Sequence, residues 1–389
     1  MESVNTGTPL PPASTDVLIV GAGIIGLAHA ALAADRGLTV TVIDRDDRAV
    51  GASIRNFGHC CITAQSGELY ELAQTGRKHW LDFAARAGFW AAESGAVVVA
   101  RAATELAVLQ ELSDLREPGQ ILMLDADDVR GRLRTDGAAS ESILGGAWLR
   151  DDLRVDPRTT VAELAGWLSQ QPNVTVLWNT SAAGFEAGAT RTAAVRTNRG
   201  VLEADRVFVC VGHDVDYLFP EAAAEHGIRR CALQMALAEP PAGVDLEPAV
   251  LTATSMLRYD AFTEVPSAQA LREEVAATAP ELLEVGANVM FTQRPDGRLL
   301  LGDSHSYHLT QDPFLAEATS SRLLAEIQSV LGLDELTVKE RWLGIYASSD
   351  TAPLFVRTMA PGVTAVSVTS GIGMTVSFGL AERNLVTLS

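Results

Sequence analysis

Apolar and polar positions fall into blocks that read as strand, turn, helix and strand from residue 16 onward. Residues 16–20 form a short apolar run ahead of a glycine cluster, and 24–35 have helical length and apolar density. Gly37 stops that helix, and 39–43 are β-like again, which makes a βαβ opening. Helical spacing recurs over about 68–87, 104–115 and 126–133, with a strand expected at 95–101. Asp156-Pro157 supplies an N-cap and a first-turn proline for a helix over 158–170. Short strands are expected at 174–178, 193–197 and 206–211, and β-like runs continue from 231 to 262. Arg294-Pro295-Asp296-Gly297 marks a hairpin turn within 291–301. A helix over 313–331, a strand over 365–369, a glycine turn and a helix from 374 to 384 close the pattern.

The first glycine cluster carries chemistry. Gly21-Ala22-Gly23-Ile24-Ile25-Gly26 is a G-x-G-x-x-G fingerprint placed between a strand and a helix. In this setting the first glycine permits a tight turn, the second lets the backbone approach a pyrophosphate, and the third packs helix on strand. The helix N-terminus then offers free N–H groups to phosphate. Asp44 ends the next strand, where a carboxylate accepts ribose hydroxyls and disfavours a 2′-phosphate, so NADP is not expected.

Charge and cysteine usage narrow the field. The 389 residues carry 30 Lys plus Arg against 49 Asp plus Glu, a formal charge of −19. That field repels nucleic acid and anionic membrane, and an anionic substrate would need a local cationic pocket. The cysteines Cys60, Cys61, Cys210 and Cys231 have neither metal-site nor redox spacing. No signal peptide and no membrane-spanning run is read in the chain, so a cytoplasmic location is expected. Neither repeats nor a low-complexity linker appear.

The segment from Asp16 to Arg45 resembles the opening of the flavin amine oxidoreductases of the D-amino-acid oxidase, glycine oxidase and sarcosine oxidase family. The likeness extends to a small-residue and serine segment, Gly51-Ala52-Ser53-Ile54-Arg55-Asn56-Phe57-Gly58. It includes the strand end Phe208-Val209-Cys210-Val211-Gly212 and the late turn Gly371-Ile372-Gly373-Met374-Thr375. The resemblance implies FAD, bound non-covalently, and a set of cofactor contacts. Those are Gly21, Gly23, Ile24, Ile25, Gly26, Asp44, Arg45, Ser53, Arg55, Asn56, Phe57, Gly58, His59, Ala182, Val211, Gly212, Gly344, Gly371, Gly373, Met374 and Thr375. His59 or Cys60 would be the site of any covalent flavin link. The last turn would aim a helix N-terminus at the pyrimidine edge of the flavin.

The expected fold is α/β in class (α+β by layout) and two-domain. A Rossmann-like FAD-binding domain (14–90, 142–228 and 333–389) is interleaved with a mainly antiparallel β-sheet substrate domain (91–141 and 229–332), after a disordered leader (1–13). A homodimer is possible on this reading.

The family's substrate arginine is missing. In its place stands Tyr346, within Trp342-Leu343-Gly344-Ile345-Tyr346-Ala347. A phenol cannot form the bidentate charged fork that holds a carboxylate. Arg55, Arg258 and Arg294 are the cations left to grip an anion, with Arg294 expected to be solvated and Arg258 and Tyr259 expected on a strand. Arg55-Asn56-Phe57-Gly58-His59, Gly302-Asp303-Ser304-His305 and Gly344-Ile345-Tyr346-Ala347-Ser348-Ser349 resemble a branch found with phosphonate-utilisation genes. That implies oxidation of an aminophosphonate such as 2-aminoethylphosphonate or its N-methyl derivative, with dioxygen or another electron acceptor. His305 and Tyr346 are the candidate catalytic residues. Arg55, Arg258, Tyr259, His305 and Tyr346 are the candidate substrate contacts. Two other oxidoreductases stay open, one acting on D-amino or N-methyl amino acids and one NAD-dependent. So does a non-catalytic FAD-binding protein. His305 and His308 lack further ligands, and no metal is expected.

Overall fold

The structure is a computed structural model that describes residues 14–133 and 142–386. The expected leader, 1–13, lies outside the described residues. Three sheets organise the rest. The first has eight strands. Its parallel heart runs Val174–Leu177, Val40–Ile43, Ser14–Val20, Gly200–Val209 and Val363–Val368, and the antiparallel strands Ala193–Thr197, Ala182–Ala187 and Leu354–Ala360 all lie on the Gly200–Val209 side. The second has nine strands, antiparallel except where Ala249–Leu251 runs parallel to Ala96–Ala100. A small third sheet joins His59–Cys60, Leu153–Val155 and Ala91–Ala92.

The two large sheets draw on alternating stretches of chain, as the interleaved pattern of elements implied. The expected boundaries at 142 and 333 do not follow sheet membership. Gly145–Leu149 pairs with Ala96–Ala100, and Val338–Ser348 runs along Arg229–Ala238, so both belong to the second sheet. The segment from 252 to 263 also departs from expectation. It forms two short helices, Ala253–Met256 and Asp260–Thr263, because Thr252 and Ser255 close a capping box at the first turn. Arg258 and Tyr259 therefore sit in the bend between helices, not on a strand. The helix expected from 158 starts at Thr160, and Asp156 instead accepts the Arg158 N–H at 3.0 Å.

The first helix, Ile24–Asp35, is buried nearly all round because it is clamped between the first sheet and the closing helix Gly373–Val386. Its alanines keep the contact close. His29 is accommodated inside by giving Nδ1–H to Ile25 O at 2.7 Å and taking the Asn384 amide on Nε2 at 3.0 Å. Burial lowers its pKa to about 4, so it is neutral.

The closing helix also crosses Gly67–Ala87, where a Cβ on Gly379 would lie 2.0 Å from Leu72 O. Gly379→Ala should therefore destabilise the protein by about 1–3 kcal/mol. Denaturant titration checks this against Gly166→Ala, whose Cβ meets nothing within 4 Å. Equal midpoints for the two variants would contradict the close crossing.

Candidate active site

The fingerprint glycines shape one end of a cavity of about 570 Å³ that runs between the two large sheets. Gly21 takes φ +106° where the first strand ends, and a Cβ there would come 2.5 Å from Cys210 O. A Cβ on Gly26 would fall 1.9 Å from Gly21 O, so this glycine lets the helix lean on the turn. Ser53 Oγ accepts the Ile24 N–H at 2.9 Å, which holds the serine segment against the helix N-terminus. Asp44 steadies the turn by accepting the Ala22 N–H at 2.7 Å and the Asp46 N–H at 3.0 Å. Burial raises its pKa above the ordinary carboxylate range. Arg45, beside it, pairs with Asp214 at 2.7 Å.

Most of the expected cofactor contacts line this cavity: Gly21, Gly23, Ile24, Ile25, Asp44, Arg45, Ser53, Arg55, Asn56, Ala182, Val211, Gly212, Gly344, Gly371, Gly373 and Met374. Five do not. Gly26 packs beneath the turn. Phe57 joins an apolar cluster with Leu233, Met235 and Leu300. Gly58 abuts Val155 O, 2.0 Å from where its Cβ would be. His59 is buried with Nε2 2.9 Å from Asp152 Oδ2, and Thr375 Oγ1 accepts the Cys61 N–H at 3.0 Å. The serine segment thus faces the cavity up to Asn56 and then turns into the core. Cys60 is buried too, which pushes its thiol pKa up.

At the far end the late glycine turn meets a polar cluster. Gly371 has φ +80°, and a Cβ there would press on the Tyr346 ring at 2.9 Å. Cys231 is in register with both Tyr346 and Tyr307, one on each neighbouring strand. Arg258 spans these two tyrosines. It donates to Tyr346 Oη at 2.6 Å and to Tyr307 Oη at 3.2 Å. Among the described residues no carboxylate forms an ion pair with it. Burial raises both phenol pKa values, so both hydroxyls stay protonated. His305 packs against the same rings, 6.3 Å from Tyr307 and 6.5 Å from Tyr346 between centroids. Its Nδ1–H points to Gly286 O at 2.8 Å. Burial and the Arg258 charge hold its pKa well below normal, leaving a neutral ring with a free Nε2 lone pair.

The remaining candidates separate. Tyr259 lies beside the cluster with its hydroxyl 3.7 Å from Met290 Sδ. Arg55 lines the cavity and donates to Leu343 O at 3.2 Å. Arg294 is neither solvated nor in the cavity, because Asp156 at 3.0 Å and Asp296 at 2.8 Å hold it in place. Tyr307, Cys231, Asn288 and Asp303 were not anticipated, and only strand register and the Arg258 bend bring them together.

Comparison with known proteins decides the family. The model described as "FAD dependent oxidoreductase" matches residues 16–383. The chain belongs to this family. Solved structures share its fold. L-proline dehydrogenase from P. horikoshii gives a TM-score of 0.78 at 16% identity, over 97% of this chain and 94% of that one. Glycine oxidase from Geobacillus kaustophilus gives 0.76 at 18%, over 97% and 96%. L-amino acid deaminase from Proteus vulgaris, without its specific insertion, gives 0.73 at 19%, over 96% and 89%. No curated protein matches the sequence. The family cofactor fits the residues present: a cradle at Gly21 that a side chain would fill, a buried carboxylate at Asp44, and a cavity continuous from there to Gly371. The protein is an FAD-dependent oxidoreductase. None of its described helices is long and apolar enough to cross a membrane.

Proposed function

We propose that this oxidoreductase cleaves the C–N bond of a small amine bearing an anionic group. The substrate is an aminophosphonate, 2-aminoethylphosphonate or its N-methyl derivative, and water hydrolyses the imine that oxidation leaves to an aldehyde plus ammonia or methylamine. One observation carries the reading. Hydrogen-bonded to Tyr346, which lines the Gly371 end of the cavity, lies a guanidinium, Arg258, whose hydrogen-bond partners among the described residues are two phenols and no carboxylate. A cation with no carboxylate hydrogen-bonded to it in a partly buried pocket can take an anion there. Its terminal nitrogens diverge to separate hydroxyls instead of presenting a planar fork. Each phenol accepts from Arg258, and Cys231, in register between them, is a side-chain hydrogen-bond partner of both. A guanidinium splayed between two hydroxyls suits a tetrahedral anion better than a flat carboxylate.

Bound FAD would supply the two-electron acceptor for hydride from the carbon next to nitrogen. The Gly21–Gly23 turn would hold its pyrophosphate, Asp44 its ribose, and the Gly371–Met374 turn its ring system. The protein's own part is positioning. Arg258, Tyr346 and Tyr307 orient the substrate by its anion. The Arg258 charge disfavours an ammonium nearby, which favours the neutral amine that the chemistry needs. His305, as a neutral acceptor at Nε2, can take a hydrogen bond or proton from that amine. No obligatory catalytic base is required. The His59–Asp152 pair and buried Cys60 point away from the cavity, so flavin should leave the protein on denaturation. Yellow colour pelleting with the precipitate would contradict this.

A carboxylate substrate is the second reading, favoured by the similarity to structures named for glycine, proline and amino-acid turnover. Product assays separate the two. Aldehyde and ammonia or methylamine should form from the aminophosphonates with kcat/KM about a hundredfold above D-alanine or sarcosine. The reverse ranking would select the carboxylate reading. Absence of product from every amine would leave a non-catalytic FAD protein.

A further inference from the structure

Behind Arg258 lies an acid that the mechanism above does not use. Asp303 follows the strand Leu299–Gly302 and is 3% exposed. Its backbone is clamped to Asn288 by two hydrogen bonds of 2.8 and 2.9 Å, so the side chain has little freedom to leave. Oδ1 is buried without a hydrogen-bond partner. Oδ2 is 4.0 Å from His305 Nε2, too long for a hydrogen bond.

The groups facing this carboxyl come from four directions. Cys231 lies on the strand Arg229–Ala238. Arg258 and Tyr259 lie in the bend between the two short helices, Asn288 precedes the strand Met290–Gln293, and His305 lies on the same loop as Asp303. Burial pushes the Cys231 thiol up to about 11 and the Tyr259 phenol higher still, and it keeps His305 neutral. Arg258 is the one charged group among them. Asp303 is thus the nearest thing Arg258 has to a counter-ion, acting at a distance.

Charge bookkeeping makes the pair sensitive to a third charge. With Asp303 ionised, the pair is neutral, and an anion docking on Arg258 leaves a net negative charge in a partly buried site. With Asp303 protonated, guanidinium and anion balance each other. Low local dielectric makes the second state favoured when the anion is bound.

We propose that Asp303 is a proton-linked counter-charge to Arg258: it takes a proton from solvent when an anionic substrate docks on the guanidinium, and releases it when the anion leaves. The inference rests on the assignment of Arg258 as the anion anchor. Asp303 is a positioning residue, since it acts through Arg258. Burial, opposed by Arg258 and by Asn288, pushes its pKa up to about 7, within reach of such a switch. The sign follows. Docked anion offsets the Arg258 charge that favours the carboxylate, so the bound-state pKa is higher than the free one. Affinity is then full below about pH 7 and falls as pH rises between the free and bound values.

The test uses the FAD-loaded enzyme and ethanesulfonate, a permanent monoanion that contributes no titration of its own. Its dissociation constant is measured from the perturbed flavin spectrum between pH 6 and pH 9. Wild type should weaken roughly tenfold across that range, and Asp303→Asn should hold a flat profile. Calorimetry at about pH 7.5, in two buffers of different ionisation enthalpy, should show wild type taking up part of a proton per anion bound. A flat wild-type profile, no proton uptake, or an unchanged slope in Asp303→Asn each overturns the inference. If ethanesulfonate binds equally to wild type and Arg258→Met, the anchor itself is wrong and the inference falls with it. Loss of binding in Arg258→Met with an Asp303-independent slope rejects Asp303 alone.

Discussion

Arg258→Met should lower kcat/KM for 2-aminoethylphosphonate by about 3–4 kcal/mol, roughly two to three orders of magnitude. The substitution keeps length and apolar stem but removes the cation and both donors that engage Tyr346 and Tyr307. Most of the loss should appear in KM, because an anion anchor holds ground and transition states alike. Arg258→Lys should recover part of it: the charge returns, but an ammonium cannot span two phenols as a guanidinium does. A plain amine without an anionic group supplies the control, and its kcat/KM should barely change. An equal loss for both substrates would mean that Arg258 supports the fold rather than the anion.

The second large effect is on the cofactor. Gly26→Ala places a methyl where Gly21 O already lies, 1.9 Å away. The helix must move off the turn, and the turn is what a pyrophosphate would contact. FAD affinity should fall at least about a hundredfold, so the variant should purify colourless while the Gly166→Ala control stays yellow. Flavin content per protein, measured after denaturation, reads this directly. A yellow Gly26→Ala protein with full flavin content would show that the turn tolerates displacement.

The two ends of the site differ in how far sequence alone exposed them. The glycine-turn end was legible because its residues are contiguous and the backbone requirement is written in glycine. Gly21, Gly26 and Gly371 each stand where a side chain would collide, and Asp44 follows at a fixed interval. Within the serine segment, however, sequence cannot say where facing ends. Phe57, Gly58 and His59 continue the motif but turn into the core, since the chain there pairs with Leu153–Val155 instead of following the cavity.

The Arg258 end was read less well. The stretch 252–263 combines three threonines with Leu257, Tyr259 and Phe262, which suits a strand as well as a buried helix. A two-residue capping box settles it, and so places Arg258 on a bend where both it and Tyr259 face inward. Arg294 looked like a solvated hairpin residue because its partner Asp156 is far away in sequence. Asp303 stood in the Gly302-Asp303-Ser304-His305 stretch with no role of its own. A single aspartate after a strand reads as a turn residue, and its burial beside Arg258 depends on pairings between segments far apart in the chain.

The most direct measurement mixes the purified yellow protein with 2-aminoethylphosphonate, or its N-methyl form, in the absence of oxygen. The account predicts that the flavin bands bleach with these amines, that D-alanine and sarcosine leave them largely unchanged, and that Arg258→Met bleaches slowly. Bleaching by the amino acids with none by the aminophosphonates would contradict the substrate assignment. A protein that holds no flavin and takes up none from added FAD would contradict the site.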